Sequence, residues 1–147
     1  MFIKRLFCTL ITFPFLSEAH NSGCASVGTA METTLFNAIS RDFKIDTSKI
    51  LRNKTTIEII DTTPISKIYA ASLAKIDYDS AMAQDKSTIS ESAYFDSYYE
   101  KSAHSLTAKY TYINKEMKKD VFIASSLINK EECSVRFNGY ITLSREF

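Results

Sequence analysis

Glycine is scarce in this chain, at three residues in 147, and proline scarcer still, at two. Gly23, Gly28 and Gly139 are too dispersed to form a phosphate-cradling loop, and no serine sits in a Gly-x-Ser-x-Gly elbow. Histidine occurs twice, as His20 and His104, so general acid or base chemistry would fall to His104 or a carboxylate. Asp77, Asp79 and Asp85 lack the glycine and the number of oxygen donors that a calcium loop needs; no metal and no cofactor is expected. A surplus of one charge sign is also missing, since 18 Lys and Arg face 17 Asp and Glu. Contact with a phosphate backbone rests on a cationic excess, and no polybasic cluster is present. Nucleic acid and anionic membrane are therefore not expected as partners.

Long hydrophobic runs are absent too. The main one, residues 6–16, is eleven residues long and is broken near its end by Pro14, about half of the roughly 20 residues that span a bilayer. Lys4 and Arg5 precede it and Ser17-Glu18-Ala19 follows, with small residues at the two positions a signal peptidase reads. That is the layout of a cleavable export signal. The expectation is a signal peptide over residues 1–19 and a single exported domain over residues 20–147, periplasmic in a Gram-negative host and secreted otherwise, with no stable membrane anchor after cleavage. Loss of Lys4, Arg5 and Glu18 leaves sixteen basic and sixteen acidic residues, a neutral mature chain.

Of three cysteines, Cys8 leaves with the signal. Cys24 and Cys133 remain, and in an oxidising compartment an isolated pair implies a disulfide. Closing a loop of about 110 residues stabilises the fold by roughly 4 to 5 kcal/mol in the chain-entropy account. The other use of Cys24, lipid attachment, is disfavoured because Asn21-Ser22-Gly23 lacks the upstream apolar residue.

Thr29 and Glu32 match a capping box, and Met31, Leu35, Phe36, Ile39 and Phe43 repeat at three, four and seven, which predicts a helix from Thr29 to about Phe43. Residues 55–62 are β-branched and end at Pro64, a strand pattern. Residues 66–78 alternate in period two and read as a second strand. Residues 81–105 are polar and read as a long loop, of the kind that is functional or mobile. Residues 106–112 and 121–128 read as strands. Residues 133–137 and 140–147 flank Asn138-Gly139, which is either a hairpin turn or a bulge. The sum is an α+β domain: one N-terminal amphipathic helix on a curved antiparallel sheet of four to five strands, a cystatin-like arrangement stapled by one disulfide, with the sheet's other face partly open.

Two constellations stand out. Tyr94, Phe95, Tyr98 and Tyr99 cluster within a polar stretch, and such rings serve either as core or as rigid contact area for a partner. Glu100 and His104 are four apart and would share a face on a helix, a weak acid/base pair. Asn53-Lys54-Thr55 is an N-glycosylation sequon, relevant in a eukaryotic secretory pathway. In element order, and in having one cysteine just past the signal and another near the last strand, the chain resembles the periplasmic colicin M immunity protein family. That resemblance implies a protein-binding role and assigns no residue. The leading expectation is a non-enzymatic exported domain that binds another protein, of inhibitor, immunity or envelope-accessory type. The alternatives are a small-molecule binder or weak hydrolase with a helix/sheet pocket using Glu100 and His104, and a structural subunit or secreted effector.

Overall fold

In the computed structural model, which describes residues 23–85 and 89–147, the spacing of Met31, Leu35 and Ile39 forms the buried face of helix α1 (Ala30–Phe43). Full burial of side chains this size stabilises by about 1.5–3 kcal/mol each. The expected signal at residues 1–19, together with His20, lies outside the described residues. The chain continues through β1 (Thr56–Pro64), α2 (Lys67–Ala83), α3 (Glu91–Tyr98), β2 (His104–Ile113), β3 (Lys119–Ile128) and β4 (Arg136–Ser144). The four strands form one antiparallel sheet in the order β1-β2-β3-β4. The domain is α+β, with three α-helices among the described residues.

Alternation along β2 and β3 divides the sheet into two faces. Leu106, Ala108, Tyr110 and Tyr112 of β2, with Phe122, Ala124 and Ile128 of β3, point to one side and join Met31, Leu35 and Ile39 in the main core. Phe43 stacks on Phe122, and Tyr140 meets both rings edge-on. Cys24 and Cys133 are bridged, with Cα atoms 5.2 Å apart. Cys24 is itself buried in this core, so the bridge ties the start of the described chain to the segment before β4.

The capping box at α1 is replaced by a different arrangement. Thr29 makes no side-chain cap; its hydroxyl oxygen lies 2.7 Å from the carbonyl oxygens of Cys24 and Ser26. Glu32 accepts from the Gly28 amide at 2.9 Å instead of from Thr29. The reason is that Glu32 is fully buried and its carboxylate is needed elsewhere. It accepts from the Tyr112 hydroxyl at 3.1 Å and forms an ion pair with Arg52, whose guanidinium lies 4.5 Å from the centre of the Phe36 ring. A buried carboxylate must be paired and hydrogen-bonded to be tolerated. Burial and the nearby Glu32 charge push the Tyr112 and Tyr110 phenols up.

The strand expected over residues 66–78 is helix α2. Ala70, Leu73 and Ala74, at three-four spacing, are its buried face, and the Ser66 side chain caps it by accepting from the Tyr69 amide at 3.1 Å. Alanine favours helix strongly, and because it stood on both sides of the alternation it supplied a false period of two. The expected loop over residues 81–105 holds the end of α2, all of α3, capped by Ser90, and the first residues of β2. The expected single helix is therefore one of three α-helices among the described residues, with α2 and α3 packed together. At Asn138-Gly139 the chain makes a bulge, not a hairpin: β4 runs through it with a register shift opposite Ser125/Ser126, and Gly139 takes a φ of +109°, which a glycine tolerates without strain.

Candidate binding surface on the helical pair

Helices α2 and α3 sit against one end of the sheet face that α1 leaves uncovered. Their contact is a small second core in which Ala70, Leu73, Ala74 and Tyr98 pack on Leu127 of β3, flanked by Ile65, Tyr94, Phe95 and Val135. A polar clasp holds it from the side. Asp77 of α2 accepts from the Tyr98 hydroxyl and forms an ion pair with Arg136 of β4. Burial, then the bond to Asp77, pushes the Tyr98 phenol up to about 12. Lys101 and Glu131 add an exposed pair near the same end.

The aromatic cluster thus divides by helical position. Tyr98 is 3% exposed and belongs to the second core. Tyr94 and Phe95 are half-buried at its margin. Tyr99 is 39% exposed, stacks on Phe95 with centroids 5.4 Å apart, and has the Lys67 ammonium 6.0 Å from its ring centre. The outer side of α2 exposes Ile68, at 81%, with Tyr69, Ile76 and Met82. Reading residues 66–78 as a strand hid these side chains; the three-four spacing of Ala70, Leu73 and Ala74 was the signal that places Ile68 and Ile76 outside.

Glu100 and His104 do not share a helix. α3 ends at Tyr98, Glu100 lies in the following turn, and His104 opens β2 with its Nδ1 2.8 Å from the Ser102 carbonyl oxygen. Two clefts among the described residues lie away from this pair. One of about 520 Å³ runs between α1 and β4, lined by Asn37, Arg41 and Tyr140 among others. A second, about 330 Å³, lies at the C-terminal end of α1, where Lys44, Lys49, Lys118 and Arg145 surround Phe43 and Phe147. Beside it Asp120, fully buried, accepts from the amides of Glu146 and Phe147 at 2.7 and 3.1 Å and from Arg145 Nε at 3.3 Å. That carboxylate fixes the last three residues. Among the described residues, no three His, Cys, Asp or Glu side chains are grouped to hold a metal ion, and no helix is long and apolar enough to cross a membrane.

Comparison with family models, with curated proteins and with solved structures yields no match for this chain. The geometry alone carries the functional argument.

Proposed function

We propose that the protein is a non-enzymatic exported domain that binds another protein through the outer surface of α2 and α3. The observation that carries this reading is the exposure of Ile68, Tyr69, Ile76 and Met82 along the outer side of α2, with Tyr99 exposed just past the end of α3, because large apolar side chains left in water on one element mark a contact site. Tyr99 is the natural anchor: it is rigid, amphipathic and already stacked on Phe95. The proposal includes export. The buried Cys24–Cys133 bridge is a feature of oxidising compartments and supports it. The cystatin-like layout belongs to the same proposal, supported by the packing of α1 along the Tyr110, Tyr112 and Phe122 face and qualified by the second helical layer.

The test is cross-linking followed by mass spectrometry in the secreted or envelope fraction of the host, with wild type, Ile68→Glu and Tyr99→Ala compared. Both positions are exposed, so melting temperatures should stay near the wild-type value. Loss of one and the same cross-linked partner in both variants supports the reading. A partner retained in full by both variants refutes it.

A further inference from the structure

The charges of this chain balance overall but not locally. Three lysines from three separate segments meet at one cleft, that of about 330 Å³ at the C-terminal end of α1. Lys44 caps α1 with a φ of +54°, Lys49 ends the short turn Thr47–Lys49, and Lys118 lies in the connection between β2 and β3. A cation at a helix C-terminus is favourable by itself, which accounts for Lys44 and for neither of the others. Among the described residues none of the three forms an ion pair, whereas Lys75, Lys101 and Lys109 each do. Two carboxylates share the wall with them. Asp46 is taken up by Ser48, whose amide and hydroxyl donate to it at 3.1 and 2.7 Å; those bonds, with Lys49 and Lys115 nearby, hold the Asp46 carboxyl below its ordinary value. Glu116 is exposed. The Lys115 amide donates to the Lys49 carbonyl at 2.9 Å, which ties the two turns together.

The same cleft holds an unused donor and an apolar wall. Asn114 lines it and is 4% exposed. Its Oδ1 accepts from the Lys118 amide at 2.9 Å, and among the described residues nothing accepts from its Nδ2, so one amide donor has no protein partner. Ile45 and Phe147 are half-buried beside it, packed against the main core. Arg145 is already engaged: its guanidinium lies 4.1 Å from the centre of the Phe43 ring and donates to Asp120 and to the Phe147 main-chain oxygen. It stiffens the wall and is not counted among the free cations.

We propose that this cleft binds a small molecule carrying a phosphate monoester next to an apolar ring. A dianionic phosphate presents oxygens in several directions, which suits separate ammonium groups acting as point charges together with the Asn114 amide. The ring rests on Ile45 and Phe147. The volume is that of a small-ligand site. Three lysines at one hollow are sized for a single phosphate group, which fits a chain that has no surplus of positive charge elsewhere to follow a nucleic-acid backbone. The cleft lies at the end of the β2–β3 hairpin opposite Leu127, on which α2 and α3 pack. It uses none of the residues of that helical surface and stands or falls separately from it.

Titration of the disulfide-intact protein with phenyl phosphate, followed by nitrogen–proton correlation spectra, should shift the amides of residues 44–49 and 114–118 and of Phe147, with a Kd of about 1 mM or below. Phenol keeps the ring and inorganic phosphate keeps the charge; each should bind at least about tenfold more weakly. Lys49→Gln and Lys118→Gln, both at exposed positions, should each weaken phenyl phosphate about fivefold with the melting temperature unchanged. Lys130→Gln, at the other end of the hairpin, should leave it unchanged. Raising salt from about 50 mM to about 500 mM should weaken wild-type binding, which decides the matter where a variant fails to fold. Vesicles containing phosphatidic acid separate the two sources of such a group: co-sedimentation lost in both variants supports the proposal with a lipid headgroup as source, and phenyl phosphate binding without co-sedimentation supports it with a soluble ester. No shift at about 10 mM phenyl phosphate, phenol bound as tightly as phenyl phosphate, or a Kd indifferent to salt and to both substitutions overturns the proposal.

Discussion

Tyr98 and Tyr99 are adjacent in sequence and chemically identical, yet their replacement should have opposite consequences. Tyr98→Ala removes a ring that is 3% exposed and packs on Ala70, Leu73, Ala74 and Leu127. Truncating a buried aromatic to alanine costs about 3–5 kcal/mol, and the loss of a donor to Asp77 acts in the same direction. Tyr98→Phe isolates that second term. Asp77 keeps Arg136, so the change should cost about 1.5–3 kcal/mol, as for a hydrogen bond to a charged group. Tyr99→Ala takes away an exposed ring in contact with Phe95 and should cost about 1 kcal/mol or less. Urea unfolding followed by far-ultraviolet circular dichroism, with the slope checked for constancy, measures all three. The reasoning fails if Tyr98→Ala costs less than about 1 kcal/mol, or if Tyr99→Ala costs as much as Tyr98→Ala. Either result would mean that α3 does not turn Tyr98 toward Leu127.

Cys133→Ser opens the covalent loop closed by Cys24 and Cys133 and should lower stability by about 2–5 kcal/mol; non-reducing peptide mapping of wild type should recover the peptides of Cys24 and Cys133 linked. Arg52→Ala leaves the buried Glu32 carboxylate with the Tyr112 hydroxyl and the Gly28 amide, and because Arg52 is partly open to water the loss should be about 1–3 kcal/mol, measured by the same unfolding curves. The raised Tyr98 phenol has a pH signature: a folded-state value near 12 against an ordinary value near 10 means a contribution to stability that is intact below pH 10 and is lost as pH rises from 10 to 12. Tyr98→Phe should flatten the fall across that window, and an equal fall in both proteins would refute the assignment.

Local pattern was enough for elements whose environment is one-sided. α1 was legible because Met31, Leu35 and Ile39 meet a single core, and β2 because its Leu106 to Tyr112 alternation separates a buried face from a half-buried one. Pairing of Cys24 with Cys133 was legible because two thiols leave a single connectivity. The second layer was not. Residues 66–78 satisfy both periods, since alanine reads as apolar wherever it falls. What decides for helix is Leu127, a β3 side chain some fifty residues away that Leu73 and Tyr98 must cover. No window of α2 contains that information.

The same holds for the candidate surfaces. The sequence by itself determined that Tyr94, Phe95, Tyr98 and Tyr99 form a cluster needing burial or a partner; the tertiary structure alone assigned Tyr98 inward and Tyr99 outward, because the helical phase of α3 is set by packing against α2. The sequence likewise determined that Asn138-Gly139 interrupts strand geometry. Whether it turned the chain or bulged it was left to the register with β3, since a glycine at positive φ serves either purpose and the pairing of Ser125 and Ser126 selects the bulge. Glu32 shows the limit most plainly. Its side chain reads as a helix-capping residue from its neighbours, and it becomes the buried centre of an ion pair because Tyr112 and Arg52, distant in sequence, arrive beside it. Local spacing sets which conformations a segment can adopt, and long-range burial chooses among them.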